Sequence, residues 1–246
     1  DSEPMYYENL PFRFDTRGII YNKRGHVYKV NLGTNKFNKI VDGDKNQIIS
    51  IGSLVESDKG IVFSYEKYNS KGTRLEEKVG SLETKKIKEI HSRGSMGNLF
   101  YYEGDLHAVG LKNRFDWPTN TSILKISRDG KVSFKDRTFD RNVVKAEVNN
   151  SVLYFLYEDS GKTLLRDGTN NIDLIDAEIT VKDFAFNNDK TYVIANSFSK
   201  PDEVFELNNG QLEKTSKANE FFNKKVKTWD CEYRRIDTGK SKIDTW

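Results

Sequence analysis

Apolar and polar residues alternate in short runs along this chain of 246 residues, and one hairpin pattern keeps returning. In each copy an apolar strand leads through a polar turn into a short second strand. The five copies span residues 26–41, 77–90, 122–135, 162–175 and 203–215. Their turns, taken at Thr34, Glu83, Asp129, Gly168 and Asn209, follow one another at intervals of 49, 46, 39 and 41 residues. This interval is typical of a four-stranded propeller blade and too long for ankyrin or leucine-rich repeats.

Four further runs contain more apolar residues than alternation gives, which predicts strands that are covered on both faces. They span residues 60–65, 98–102, 151–157 and 191–195, and we predict that they are the inner strands of successive blades. Complete blades are then expected at 47–91, 97–135, 141–175 and 179–215.

The remaining segments predict only parts of blades. Residues 1–42 are expected to hold a partial blade and the segment leading into it, and residues 225–246 a closing partial blade. Helix is almost absent from the pattern, with a single turn predicted in 217–225. The predicted fold is therefore all-β: one β-propeller domain over 1–246, made of four-stranded antiparallel blades and incomplete at its ends.

Composition narrows the functional classes. The chain is 36% apolar and 31% charged, which is typical of a soluble globular protein. Its 40 Lys and Arg residues are interleaved with 37 Asp and Glu residues, whereas a nucleic-acid partner requires clustered positive charge. Neither a run of about 18 apolar residues nor a signal-peptide pattern occurs. We therefore expect no nucleic-acid partner and no membrane partner.

The only cysteine is Cys231, so no disulfide can form within the chain and no thiolate cluster can hold zinc. Apolar neighbours at every second position predict that Cys231 is a buried strand residue. A single cysteine also favours a reducing compartment, and we expect a cytoplasmic location.

Few residues offer chemistry. The three histidines, His26, His91 and His107, lie in or at the ends of predicted strands, and we interpret them as structural. The carboxylate pairs Asp42/Asp44 and Asp173/Asp176 lie at predicted blade corners, where Asp bonds its own backbone. Neither a G-x-S-x-G elbow nor a phosphate-binding glycine loop occurs. We expect no catalytic residue, metal or cofactor.

One connection is a candidate for binding. Residues 112–120 (KNRFDWPTN) form a longer and more aromatic connection than the others, and binding residues concentrate in such loops. Arg114, Phe115 and Trp117 are therefore candidate contacts with a substrate or a companion domain. Arg13 and Arg17 are weaker candidates of the same kind. The alternative is that Phe115 and Trp117 pack on their own blade.

Several short motifs follow one another along the chain in a fixed order. They are LPFRFD at 10–15, KRGHVYKV at 23–30, DGD at 42–44, RTFDRNV at 137–143, SFSKPDEVFEL at 197–207, KAN at 217–219 and YRRIDTGKSKIDTW at 233–246. In this order they resemble motifs of the propeller domain of acylaminoacyl peptidases, in the prolyl oligopeptidase superfamily of serine peptidases. The sequence departs from the family at 55–63 (VESDKGIVF), where the family has Trp and Pro before the turn.

The resemblance implies a six- or seven-bladed propeller that is non-catalytic by itself. It would cap the active site of a separate α/β-hydrolase domain of the same polypeptide and restrict substrates to short peptides. The hydrolase domain, expected beyond Trp246, would supply the catalytic triad. That domain and peptide substrates are the expected partners, and a homo-oligomer is possible. One or two blades are expected before Asp1.

Two alternatives belong to other classes. The chain could be a stand-alone propeller scaffold that binds a protein on one face. It could also be a propeller enzyme with its own axial site, which would require acidic or metal-binding residues on the inner strands. The predicted inner strands are nearly devoid of such residues.

Overall fold

The computed structural model describes residues 13–14, 18–19, 24–58, 60–83, 86–91, 94–113, 119–229 and 231–245, and the structural statements below concern these residues. The chain divides into two compact units, Asp1–Thr138 and Phe139–Trp246. Both are built from antiparallel strands, and each is described by itself.

The first unit contains two short strand pairs and two four-stranded sheets. The pairs are β1 (Arg13–Phe14) with β2 (Gly18–Ile19), and β3 (Val27–Asn31) with β4 (Lys36–Val41). A helical turn, α1 (Gly43–Asn46), follows. The first sheet runs β5 (Ile48–Ser57), β6 (Gly60–Tyr68), β7 (Leu75–Glu83), β8 (Lys86–His91). The second runs β9 (Ser95–Tyr102), β10 (Asp105–Leu111), β11 (Ser122–Ile126), β12 (Val132–Phe134).

The second unit repeats this plan. Its first sheet runs β13 (Asn142–Asn149), β14 (Val152–Asp159), β15 (Lys162–Asp167), β16 (Ile172–Asp173). Its second sheet runs β17 (Thr180–Asn187), β18 (Lys190–Ser197), β19 (Lys200–Asn208), β20 (Gln211–Lys214). The helical turn α2 (Glu220–Lys225) and the pair β21 (Arg234–Asp237) with β22 (Lys242–Thr245) complete the unit.

Four sheets of four strands, each an antiparallel meander, are the blades of a β-propeller, so the predicted fold class is confirmed. The assignment of inner strands was wrong for three of the four runs. Residues 60–65, 151–157 and 191–195 lie in β6, β14 and β18, which are second strands; only 98–102 lies in a first strand, β9. A second strand has neighbours along both edges, whereas a first strand is a sheet edge. The most apolar run therefore marks the middle of the blade.

Turn chemistry explains why the hairpins recur. Asn35, Asn171 and Asn209 adopt left-handed φ values of 52°, 59° and 51° in three of the turns, a region that Asn tolerates better than most residues. In the β11–β12 turn, Gly130 has φ 79°, and a Cβ there would lie 2.2 Å from the carbonyl oxygen of Ile90 in β8. This turn therefore requires glycine to pack against the neighbouring blade.

Each unit buries its apolar side chains between successive sheets. In the first unit, Val62 and Val79 of the β5–β8 blade pack with Leu99 and Leu124 of the β9–β12 blade. In the second, Leu165 of β15 packs with Val193 of β18. Burying a side chain of this size contributes about 1.5–3 kcal/mol to stability, so the packing between blades supports each unit.

The first strand of every blade contains a β-bulge. The register shifts fall at Ile49 and Gly52–Ser53 in β5, at Asn98 in β9, at Val144 in β13 and at Lys182 in β17. In the first unit the Leu99 N–H, next to its bulge, donates to Ser53 Oγ at 2.7 Å. In the second, Lys145 Nζ donates to Asp183 Oδ1 at 2.6 Å. Bulges redirect side chains and backbone groups. In each unit, a hydrogen bond at or next to a bulge therefore connects the first strands of the two blades.

The C-terminal prediction needs correction. In the closing partial blade predicted over 225–246, β21 begins only at Arg234, and the described residues between α2 and β21 pair with no strand. Cys231 lies in this connection and is half-buried, so its prediction as a buried strand residue was wrong.

The longer of the two helices described, α2, has 6 residues, and no helix in the described part of the chain could cross a membrane.

Candidate functional site

The predicted contact residues fall mostly outside the described part of the chain. Arg114, Phe115, Trp117 and Arg17 are among the residues whose structure is not described. Arg13 lies in β1, where its Cα is paired with that of Ile19. These five residues stay candidates from the sequence.

The three histidines are each held by a backbone partner. His91 Nδ1 lies 3.0 Å from the carbonyl oxygen of Gly130, which links β8 to the next blade. His107 Nδ1 lies 3.1 Å from the carbonyl oxygen of Asp105. The His107 ring is buried and stacks on Phe100, with centroids 5.6 Å apart, and burial lowers its pKa. These contacts are structural: His91 links two blades, and His107 packs inside its own blade.

The DGD motif forms a corner between the β3–β4 pair and the β5–β8 blade. Asp42 Oδ1 accepts a hydrogen bond from Asp44 N at 3.1 Å and so caps α1. The Gly43 N–H donates to His26 Nδ1 at 3.1 Å, and the Gly25 N–H donates to the carbonyl oxygen of Ile48 at 3.0 Å. A Cβ on Gly43 would lie only 2.0 Å from the carbonyl oxygen of Gly25. The motif therefore requires glycine at its centre.

His26, Asp42 and Asp44 offer ligand atoms within 4.8 Å of one another, a separation suitable for a metal. The tautomer of His26 opposes that role. Nδ1 accepts a hydrogen bond from the Gly43 N–H, so the single proton of the neutral imidazole is on Nε2. A metal on Nε2 would move this proton to Nδ1, where it would face the Gly43 N–H. We interpret the cluster as a hydrogen-bonded corner.

A polar cleft of about 800 Å³ opens at one end of the β5–β8 blade. We name it the basic cleft. Its lining consists of Arg24, Gln47, Lys67, Tyr68, Asn69, Ser70, Lys71, Gly72, Glu76 and Lys78. Four of these side chains are cationic and one is a carboxylate. The cleft thus brings four cationic side chains together around one cavity.

A buried ion pair and a hydrogen-bonded turn stabilise the walls of the basic cleft. Lys78 is buried, with Nζ 2.8 Å from Glu89 Oε2 and 3.6 Å from Glu76 Oε2. The β6–β7 connection is closed by Asn69, whose side-chain oxygen accepts from the Thr73 N–H at 2.9 Å. The Gly72 N–H also donates to the carbonyl oxygen of Asn69 at 2.9 Å. This turn fixes the backbone that carries Lys71.

A second cavity, a groove of about 1130 Å³, lies in the second unit between the β17–β20 blade and the connection to β21. Phe198 and Cys231 line it, and Glu203 lies in its wall. The Glu203 carboxylate accepts from Lys214 Nζ at 2.8 Å, from the Ser216 hydroxyl and from the Asn219 N–H at 3.0 Å. Lys214 and then Ser216 lower the pKa of Glu203 to about 2, although burial opposes them. Glu203 therefore anchors the chain as it leaves the blade.

With this geometry in view, solved structures provide the fold comparison. The Pyrococcus horikoshii acylaminoacyl peptidase, in an orthorhombic crystal form, matches 99% of this chain with a TM-score of 0.76 at 15% sequence identity. An acylaminoacyl peptidase in complex with Z-Gly-Gly-Phe-chloromethyl ketone matches 99% of the chain with a TM-score of 0.77, also at 15% identity. The chain has the fold of an acylaminoacyl peptidase propeller.

This propeller fold accounts for only part of those proteins, since the chain spans 39% of the length of each. The β-propeller domain of the Trilobed protease from Pyrococcus furiosus matches 78% of this chain and 61% of that one, with a TM-score of 0.54 at 11% identity. No model of a known protein family matches the sequence. Comparison with curated protein sequences also finds no match.

Sequence reasoning missed the basic cleft. Its cations come from Arg24, from β6, from the β6–β7 connection and from β7, with Glu66, Glu76 and Glu77 between them. These lysines and the arginine are not consecutive in the sequence, so a search for runs of positive charge does not detect them. The one available signal was the spacing of Lys67, Lys71 and Lys78 around the turn that the strand pattern leaves between β6 and β7.

Proposed function

We propose that this chain is the non-catalytic propeller domain of a serine peptidase. In this role it caps the active site of a separate α/β-hydrolase domain and restricts substrates to short peptides. A cap selects by size, because a peptide passes a narrow or transiently opened passage that a folded protein cannot enter. Closure also keeps water away from the reacting groups. A cytoplasmic location and a peptide-binding role for Arg114, Phe115 and Trp117 belong to this proposal.

The observation that carries the proposal is the extent of the fold match. Nearly the whole chain superposes on a minor part of two acylaminoacyl peptidase structures. The motifs from LPFRFD to YRRIDTGKSKIDTW follow the order of that propeller. The sequence contains no G-x-S-x-G elbow for a nucleophilic serine. A propeller that serves a hydrolase domain accounts for all three facts.

The chain by itself should be inactive. We expect no hydrolysis of peptide p-nitroanilides above the rate in buffer, and no labelling by a fluorophosphonate probe that reacts with activated serines. A purified acylaminoacyl peptidase serves as the positive control for both measurements. Stoichiometric labelling of this chain would refute the proposed division of labour.

A second candidate function is a stand-alone scaffold for protein binding. The exposed aromatic side chains Phe198 and Trp229, at 79% and 81% exposure, favour it, because both lie in or next to segments that line the groove of the second unit. The coding sequence after Trp246 separates the two functions. A hydrolase domain there supports the cap, whereas a stop codon supports the scaffold.

A further inference from the structure

The basic cleft of the first unit combines charge, enclosure and rigidity. Arg24 and Lys67 are half-buried, Lys78 is buried, and Lys71 projects from the closed β6–β7 turn. Glu76 is the only carboxylate in the lining. Arg24, Lys67 and Lys71 bring like charges to one cavity, and like charges repel one another more strongly where they are partly removed from water. An anion in the cleft would reduce that repulsion.

The arrangement of the cations favours an oxyanion as this anion. Arg24 and the phenol of Tyr68 both line the cleft, together with Lys67 and Lys71. A guanidinium presents two parallel N–H donors that match the two oxygens of a carboxylate or phosphate, and a lysine adds a point charge. The cleft of about 800 Å³ is large enough for the end of a short peptide.

Lys78 contributes to the shape of the cleft more than to its charge. Its ammonium group is paired with Glu89 and lies near Glu76, so its charge is compensated within the blade. Lys67 lies near the end of β6 and Lys71 lies within the β6–β7 turn, and substitution of either residue leaves the buried Lys78–Glu89 pair intact. They are therefore the residues to change in a test of anion binding.

We propose that the basic cleft binds the terminal carboxylate of a short peptide. The choice of a peptide rests on the proposed peptidase role, whereas the choice of an oxyanion rests on the lining of the cleft. The cleft would hold peptide ends on the propeller without taking part in bond cleavage. Free phosphate shares the same chemistry and is the competing source of the anion.

The test is an NMR titration of the chain, labelled with 15N, with three probes. They are N-acetyl-trialanine, its C-terminal amide, and inorganic phosphate. We expect the free acid to shift the amide signals of residues 67–72, and the amide analogue to bind at least about tenfold more weakly, since it lacks the charged group. We expect phosphate to compete with the free acid without exceeding its affinity.

Two variants complete the test. The double variant Lys67→Ala/Lys71→Ala should weaken binding of the free acid at least about tenfold, because it removes two charges from the lining. Lys29→Ala removes an exposed lysine of β3 and should leave the affinity unchanged. Retention of the wild-type melting temperature by both variants shows that the fold is intact.

Three results would overturn the proposal. They are equal binding of the acid and the amide, signal shifts that lie away from residues 67–72, and binding of phosphate without binding of the free acid. Because the titration involves no hydrolase domain, its failure would leave the cap function standing. A stop codon after Trp246 would remove the cap function and leave a positive titration valid.

Discussion

Substitution of Gly43 by alanine tests the corner between the β3–β4 pair and the β5–β8 blade. Inside a helical turn, alanine is ordinarily favoured over glycine by about 0.5–1 kcal/mol. Here the added Cβ would lie 2.0 Å from the carbonyl oxygen of Gly25 and 2.9 Å from its carbonyl carbon. Both are backbone atoms, so no side-chain rotation can relieve the contact.

The magnitude follows from what has to move. Separating the two backbones would stretch the Gly43 to His26 hydrogen bond of 3.1 Å and the Gly25 to Ile48 hydrogen bond of 3.0 Å. Each contributes about 1 kcal/mol, and overpacking adds about 1–3 kcal/mol. Allowing for the helical preference of alanine, we expect Gly43→Ala to lower the free energy of unfolding by about 3 kcal/mol. For a chain of this length that corresponds to a fall in melting temperature of about 6–12 °C.

The assay combines thermal unfolding, followed by circular dichroism, with hydrogen exchange. Gly43→Ala should lower the melting temperature and speed exchange in residues 24–31 and 41–48. The matched control is Gly97→Ala in β9, because the nearest atom to that Cβ is the carbonyl oxygen of Val109 at 3.8 Å. Its melting temperature should change by less than about 2 °C. Equal melting temperatures and equal exchange for Gly43→Ala and the wild type would refute the close packing of this corner.

The remaining predictions concern the second unit. Because the pKa of Glu203 is lowered in the folded state, its carboxylate stabilises the fold above the ordinary glutamate pKa of 4.5, and this contribution is lost as the pH falls from 4.5 towards about 2. Glu203→Gln should therefore reduce the urea midpoint at pH 7, and the difference in midpoint from the wild type should become smaller below pH 4.5. A difference that stays constant down to pH 3, or a similar effect of the exposed Glu213→Gln, would contradict this. Lys145→Met removes the contacts of Lys145 Nζ with Asp183 at 2.6 Å and the Phe184 carbonyl at 2.9 Å, and should lower the free energy of unfolding by about 1–2 kcal/mol in urea titrations. The exposed Lys182→Met should change it by less than about 0.5 kcal/mol, and equal effects of the two variants would count against the role of the bulges.

The repeat was predictable from the sequence because its signals are local. Asn and Gly in the turns and the alternation of the strands depend on neighbouring residues alone, and the resulting four-stranded sheets match the prediction. The order of strands within a blade was harder to predict, because β6, β14 and β18 owe their apolar character to neighbours on both edges. The apolar run shows that a strand is well covered, but it does not show whether that strand comes first or second in its blade.

The candidate sites show the same limit. The packing of Gly43 against Gly25 and the convergence of Arg24 with Lys67 depend on how the β3–β4 pair meets the next blade. The packing of the β3–β4 pair against the β5–β8 blade cannot be predicted from a single sequence. The loop at 112–120 was chosen because its composition is unusual, and it stays a candidate, whereas the basic cleft was missed because its charges alternate with carboxylates along the chain.

The account depends most on the division of labour between this propeller and a hydrolase domain. Determination of the coding sequence that follows the Trp246 codon tests it most directly. We predict an α/β-hydrolase domain in the same reading frame, with a serine on a G-x-S-x-G elbow followed by an aspartate and a histidine in that order. A stop codon at that point, or a domain without such a serine, would contradict the account.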